Sequence, residues 1–145
     1  MQANLRKVLV AAALTSLAPS AFADVIADWN EKAVAFVTPR MTPPAAQRAV
    51  AMVQVAMFDA VNSIERRYRP YLVQLPAPAA TSKEAAATTA AGSVLAGLHP
   101  QAQAELKGAT TAYLSNIPDG DAKSEGIRLG EVVAAKILEA RAKDG

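Results

Sequence analysis

The stretch RAVAMVQVAMFDAVN, residues 48–62, decides the fold predicted for this chain. At about 100° per residue, its apolar residues collect on one wide helix face: Ala49, Val50, Met52, Val53, Ala56, Met57, Ala60 and Val61, with Ile64 just beyond. A narrow polar strip carries Arg48, Asp59, Asn62 and Arg66. A helix this apolar is normally buried in a larger body, so we predict that other helices cover it.

This helix is predicted over residues 43–64, with Thr42 as its N-cap and Pro43 at the first helical position. Four more helical patterns span about 25–37, 82–98, 100–116 and, after Pro118-Asp119-Gly120, up to about 143. Prolines exclude a helix from the linker at 68–80. No segment alternates like a strand, so we predict an all-α bundle of about five helices. Because four helices could cover only part of the central one, we expect an incomplete part of a larger α-helical fold.

The first 23 residues have the features of a secretory signal peptide. Arg6 and Lys7 form a positive start, residues 8–17 are mainly apolar, and Ala21-Phe22-Ala23 fits the small-x-small cleavage pattern. The apolar run is too short for a membrane anchor, which needs roughly 20 residues. We therefore predict export to the periplasm or the medium, and a mature helical domain of residues 24–145 that is not membrane-anchored.

Removal of the signal peptide leaves a mature chain without net charge. The full chain has 15 basic and 13 acidic residues, and Arg6 and Lys7 leave with the signal, so 13 of each remain. The basic cluster Arg66-Arg67-Tyr68-Arg69 is interpreted as a solvated helix end, so neither nucleic acid nor a membrane is expected as a partner. The absence of cysteine excludes disulfides, thiolate metal sites and cysteine nucleophiles.

Single residues that could carry chemistry are few. His99 is the only histidine, and a catalytic triad or a multi-histidine metal site needs partners that the chain lacks, so a turn or capping role is predicted. Asp119-Gly120-Asp121 is not a calcium loop, because Gly130 stands where the twelfth-position glutamate is required. It is interpreted as a helix-initiating turn.

Asp59 and Asn62 lie one turn apart on the polar strip of the central helix. A buried Asp–Arg interaction with an arginine of that strip, fixing helix packing, is the preferred interpretation. A single carboxylate without a second acid, base or metal partner is weak evidence of catalysis. Five glycines within helical patterns are interpreted as close helix contacts or breaks: Gly92, Gly97, Gly108, Gly126 and Gly130.

Several segments occur in a recognisable order: DWN at 28–30, the stretch 48–62, YRPY at 68–71, IPDG at 117–120, GI at 126–127, LG at 129–130 and RAKDG at 141–145. Over essentially the whole mature chain, this order resembles the N-terminal helical region of bacterial vanadium-dependent haloperoxidase-like proteins, within the superfamily of type 2 phosphatidic acid phosphatases. Gln54 is a departure, since relatives often carry His there.

The resemblance implies an active site whose residues are not in this chain. Family members hold vanadate or phosphate with Lys-x6-Arg-Pro, Ser-Gly-His and Arg-x5-His segments. The only Arg-Pro is Arg69-Pro70, preceded by Asn62 where Lys is required, and Ser93 stands where the third segment needs Arg before His99. We therefore assign no catalytic, cofactor-binding or metal-binding residue. Vanadate or substrate phosphate is expected only in a full-length relative. The reaction of that relative would be halide oxidation or phosphate-ester hydrolysis.

Two functional hypotheses follow from these observations. The leading one is the N-terminal scaffold portion of an exported haloperoxidase-like or acid phosphatase-like protein, catalytically incomplete by itself. Its partner would be the missing C-terminal catalytic half, or a second copy bound through the apolar helix surface. The alternative is a free-standing exported helical binding protein that uses its apolar face.

The signal-peptide prediction fixes the N-terminus of the mature protein. Mass spectrometry of the protein recovered from its native host should show a chain that begins at Asp24. An intact Met1 on a protein of the cytoplasm would contradict the prediction of export.

Overall fold

The computed structural model describes residues 21–144, and this part of the chain forms five α-helices. They are α1 (Ala21–Val37), α2 (Pro43–Glu65), α3 (Lys83–Leu98), α4 (Gln103–Leu114) and α5 (Asp121–Ala140), with a 3₁₀ turn, Pro100–Ala102, before α4. The described residues contain no strand, so the predicted all-α bundle of about five helices is confirmed. The predicted signal peptide, residues 1–23, lies outside the described residues apart from the start of α1.

The centre of the bundle is α3, which contacts each of the other four α-helices. Its middle consists of small residues, all of them buried: Ala85, Ala86, Ala87, Thr88, Thr89, Ala90, Ala91 and Gly92. The side chain of Ser82 caps this helix by accepting a hydrogen bond from the backbone N–H of Ala85 at 3.1 Å. Helix propensity favours such an alanine-rich run, and its small side chains also allow neighbouring helices to approach closely.

The helices α3 and α5 approach each other closely at two glycines. A Cβ atom placed on Gly126 would lie 2.6 Å from the carbonyl oxygen of Ser82, and one on Gly130 would lie 2.6 Å from that of Ala86. Both glycines therefore mark close helix contacts, as predicted. The prediction is wrong for Gly108, because a Cβ atom there meets nothing within 4 Å and α4 continues through it.

The predicted apolar face of α2 is buried against α1, α3 and α5. A stripe on the opposite side remains uncovered: Ala51, Gln54 and Phe58 are exposed, and Val55 is partly buried. The helix ends at Glu65, after which Arg66 adopts a left-handed conformation with φ 53° and turns the chain away.

A paired glycine experiment tests the packing of α5 on α3. Gly130→Ala should lower the free energy of unfolding by about 1–3 kcal/mol, because the new methyl group would overlap backbone atoms of Ala86 and Ala90. The matched control Gly108→Ala should be neutral or stabilising by up to about 1 kcal/mol, since it replaces glycine by a better helix former in open space. Urea unfolding monitored by circular dichroism measures both, and equal effects would refute the close contact.

Candidate functional site

A buried polar cluster lies in the C-terminal half of α2. Its members are Asp59, Asn62 and Ser63, which are 0%, 2% and 0% exposed. They share the end of the helix because they lie within about one turn of each other. Ser63 donates a hydrogen bond from its hydroxyl to the carbonyl oxygen of Asp59 at 2.8 Å. The polar strip predicted from the sequence is therefore an internal feature of the molecule at this end of α2.

The carboxylate of Asp59 accepts three hydrogen bonds from the backbone of the following loop. Oδ1 accepts from the N–H of Tyr71 at 2.7 Å, and Oδ2 accepts from the N–H groups of Leu72 at 2.9 Å and Val73 at 2.8 Å. Hydrogen bonds to an ionised carboxylate are among the stronger ones in proteins. Three such bonds can hold a carboxylate inside the fold without a cationic side chain.

Asn62 and Ser63 hold the two ends of the same loop. The Asn62 amide donates to the carbonyl oxygen of Tyr68 at 2.8 Å and accepts from the N–H of Tyr68 at 2.9 Å. The hydroxyl oxygen of Ser63 accepts from the N–H of Leu75 at 3.1 Å. Residues 66–75, which we call the anchored loop, are therefore fixed to α2 along most of their length.

The predicted pairing of Asp59 with an arginine is wrong, although its burial is as expected. Arg66 follows the left-handed turn that ends α2, and its side chain is exposed. Arg48 instead donates to the carbonyl oxygen of Arg141 at 2.7 Å. The donors that replace the guanidinium come from an extended segment whose N–H groups have no helix or strand partner.

One sequence signal could have identified these donors. Pro70 and Pro76 flank the segment that bonds to Asp59, and prolines exclude it from a helix. Backbone N–H groups that are shielded from water must still find acceptors. A carboxylate on the apolar helix immediately before the segment is the natural acceptor. Aspartate side chains commonly accept hydrogen bonds from backbone N–H groups that follow them in the chain.

The uncovered side of α2 forms a surface that we call the outer face, made of Ala51, Val55 and Phe58 together with Tyr68 and Tyr71 of the anchored loop. Phe58 and Tyr68 lie side by side, with ring centroids 6.2 Å apart. These two side chains are 39% and 62% exposed, and Tyr71 is 50% exposed. The face therefore presents three aromatic rings to its surroundings.

Two grooves run along the outer face, one on each side of α2. The first, of about 370 Å³, has apolar walls from α1, α2 and the anchored loop: Ile26, Met57, Phe58, Val61 and Tyr68. The second, of about 430 Å³, combines apolar residues with charged ones: Ala51, Met52, Val55, Tyr71, Arg48, Arg141 and Asp144. Gln54 lies on the rim of the first groove and ties α2 to α1 by donating to Oδ1 of Asn30 at 2.8 Å.

The C-terminal end of α5 lies beside the second groove. The guanidinium of Arg141 is 5.4 Å from the centre of the Tyr71 ring and 2.9 Å from Oδ2 of Asp144. Arg48 donates a hydrogen bond to the carbonyl oxygen of Arg141, at the C-terminal end of α5. This end of a helix favours a cation because its carbonyl groups carry partial negative charge. The last described residues are thereby held against the outer face.

His99 occupies the junction between α3 and the 3₁₀ turn, as predicted. Its N–H donates to the carbonyl oxygen of Leu95, and its own carbonyl oxygen accepts from Ala102, both at 3.0 Å. The ring meets Phe36 edge-on, with centroids 5.0 Å apart. Burial, and to a smaller extent the charge of Arg40, lower the pKa of His99 below its ordinary value. These contacts give His99 a role in packing.

Residues 21–144 contain no group of three or more His, Asp or Glu side chains placed to hold a metal ion. None of the helices described is both long and apolar enough to cross a membrane.

Substitution of Asp59 tests the anchoring of the loop. Asp59→Leu should lower the free energy of unfolding by at least about 3 kcal/mol, because three backbone N–H groups lose their acceptor at about 1–3 kcal/mol each. Glu131→Gln, on the exposed side of α5, is the matched carboxylate control and should leave stability unchanged. A loss below about 0.5 kcal/mol for Asp59→Leu would show that the strip faces water.

The lowered pKa of His99 predicts a pH dependence of stability. The folded state binds this proton less readily than the unfolded state, whose value is near 6.5. The contribution of His99 is therefore fully present above pH 6.5 and is lost as the pH falls through the lower folded pKa. As the pH is lowered below 6.5, the free energy of unfolding should decrease less steeply for His99→Gln than for the wild type. Identical slopes would contradict this assignment.

Comparison of the chain with protein-family models, with curated proteins and with solved structures finds no match.

Proposed function

We propose that this chain is the N-terminal helical scaffold of an exported vanadium-haloperoxidase-like or acid phosphatase-like protein, and that a further helical portion docks on the outer face and supplies the catalytic residues. The sequence resemblance motivates the family. The outer face is the structural observation that supports the proposed docking. Vanadate or a phosphate ester would be bound by the docked portion.

Exposed apolar side chains are concentrated on and beside the outer face. Among the described residues, five large hydrophobic side chains are exposed, and all but Val34 lie there: Phe58, Tyr68, Tyr71 and Leu72. Contiguous exposed apolar surface marks an interaction site in a soluble protein. Aromatic residues are also enriched in protein interfaces, so the composition of the face fits docking of another polypeptide.

The geometry of the outer face favours a helical partner. Two grooves that flank a ridge of α2 residues can receive the apolar side chains of helices that lie along it. Because Asp144 lines the second groove, a segment that continues from α5 would begin at this face. The resemblance implies that the catalytic part is itself a helical bundle, which is the kind of partner these grooves accept.

The buried polar residues of α2 support a scaffold role. Binding of vanadate or phosphate needs several convergent cations and N–H donors at one place. Asp59, Asn62 and Ser63 are instead engaged with the backbone of the anchored loop, and of the three only Asn62 also lines a groove. Their contribution is to shape the surface on which the partner docks.

A second function is favoured by the first groove alone. Its volume of about 370 Å³ falls within the range of small-molecule sites, and its walls are largely apolar with the polar groups of Asn62, Glu65 and Arg67 at one end. A free-standing exported binding protein would use this groove for an apolar ligand. The two functions make different predictions about a polypeptide partner.

The test begins with the coding DNA beyond the codon for Gly145. We expect it to encode Lys-x6-Arg-Pro, Ser-Gly-His and Arg-x5-His segments, and we expect the encoded portion to co-purify with this chain. Phe58→Asp should abolish co-purification, because a buried unpaired carboxylate is strongly unfavourable. Val34→Asp is the matched control, since Val34 is similarly exposed on α1.

Activity measurements complete the test. The 145-residue chain alone should show no vanadate-dependent bromide oxidation and no phosphate-ester hydrolysis. Turnover by this chain alone would overturn the proposal. Downstream DNA without the three segments, combined with a cooperatively folding monomer, would favour the binding protein instead.

A further inference from the structure

The tip of the anchored loop combines positive charge with exposed apolar side chains. Arg66, Arg67 and Arg69 are all exposed, and between and beyond them Tyr68 and Leu72 are 62% and 48% exposed. The sequence pattern indicates that this segment is a solvated helix end. The structure agrees, because the segment starts at the left-handed C-cap Arg66 of α2 and its three arginines are exposed.

The loop backbone is held in place, unlike that of an ordinary solvated turn. Both backbone groups of Tyr68 bond to Asn62, and the N–H of Leu72 bonds to the buried carboxylate of Asp59. The backbone of these two exposed apolar residues is thus held in place, and the three arginines are close to them in sequence. Preorganisation of this kind removes part of the entropy cost of binding a partner.

The charge at the loop tip is not neutralised by its neighbours. Glu65 lies 4.0 Å from Arg67, but it also pairs with Lys83. Arg66 and Arg69 form no ion pair within the described part of the chain. Because the mature chain as a whole has 13 basic and 13 acidic residues, this positive patch is a local feature and not a consequence of net charge.

We infer that the loop tip binds an anionic phospholipid surface. This inference does not rest on the proposed function, but the two share Tyr68 and Leu72, so it concerns the chain whose outer face is free. Arginine meets lipid phosphates, tyrosine lies at the level of the headgroups, and leucine reaches the acyl boundary, so the three residue types match the layers of a membrane interface. Nucleic acid would be served by the arginines and Tyr68, but it offers nothing to Leu72, and Tyr68 already packs one side against Phe58.

Co-sedimentation of the chain that begins at Asp24 with vesicles tests the inference. Vesicles of phosphatidylglycerol mixed equally with phosphatidylcholine should bind the protein at low ionic strength, and vesicles of phosphatidylcholine alone should not. Added salt should weaken the binding because it screens exposed charges. R66Q/R67Q/R69Q should lower the partition coefficient about 100-fold, since each arginine near an anionic surface contributes about fivefold.

Two matched controls separate the loop tip from general effects. K32Q/K107Q/K136Q removes the same charge from exposed positions on α1, α4 and α5 and should change binding only slightly. Y68S/L72S should weaken binding and make the remainder more sensitive to salt, whereas V34S removes an exposed apolar side chain elsewhere and should not. Circular dichroism should show that all of these variants retain the wild-type helical signal.

Three outcomes would overturn the inference. The first is no binding to the anionic vesicles. The second is an equal loss in the loop variant and in its charge-matched control, which would assign the effect to net charge. The third is binding of single-stranded oligonucleotide by the loop without binding of vesicles, which would assign the patch to nucleic acid.

Discussion

The buried carboxylate of Asp59 is the interaction on which the functional surface depends. Removing an ionised carboxylate from water costs several kcal/mol, so the fold must return that energy through good hydrogen bonds. Three consecutive N–H groups do so, and they come from a segment with no other regular structure. If the loop left α2, the buried carboxylate of Asp59 would lose its three hydrogen-bond donors. If α2 shifted, the N–H groups of the loop would lose their acceptor. The outer face has a fixed shape for this reason.

A second constraint acts through α3, whose small buried residues let four helices surround it. Gly126 and Gly130 bring α5 against the backbone of α3, where a methyl group would overlap the carbonyl oxygens of Ser82 and Ala86. Close packing of this kind is sensitive to single carbon atoms. It also places the end of α5 near α2, where Arg48 bonds to the carbonyl oxygen of Arg141. The helical core thereby delivers the C-terminal residues to the outer face.

Periodicity predicted most of the fold, because apolar side chains at helical spacing leave a clear pattern in the sequence. The apolar face of α2 and the order of the helices were predicted in this way. The central position of α3 was not predicted, since alanine, threonine and glycine give little contrast between a buried and an exposed face. Likewise, Gly108 and Gly130 both lie inside helical patterns, and only the packing of α4 and α5 shows that Gly130 makes a close contact and Gly108 does not.

The sequence predicted that Asp59 is buried, but it did not predict which groups form hydrogen bonds with it. Asp59 lies on an apolar helix, so its burial and its need for donors could be foreseen. Side-chain donors such as Arg48 and Arg66 are visible in a sequence, whereas backbone N–H groups are present at nearly every residue, so only the flanking prolines point to these three. The decisive information is the path of the loop, which depends on the left-handed turn at Arg66 and on tertiary contacts with Asn62 and Ser63.

Amide hydrogen exchange of Tyr71, Leu72 and Val73 tests most directly whether a buried carboxylate fixes the outer face. If Asp59 holds these three N–H groups, their exchange should be slowed to nearly the extent seen in the buried turns of α2, because they can open only with the loop as a unit. Exchange of all three at the rate of an unstructured segment, while α2 stays protected, would contradict the account.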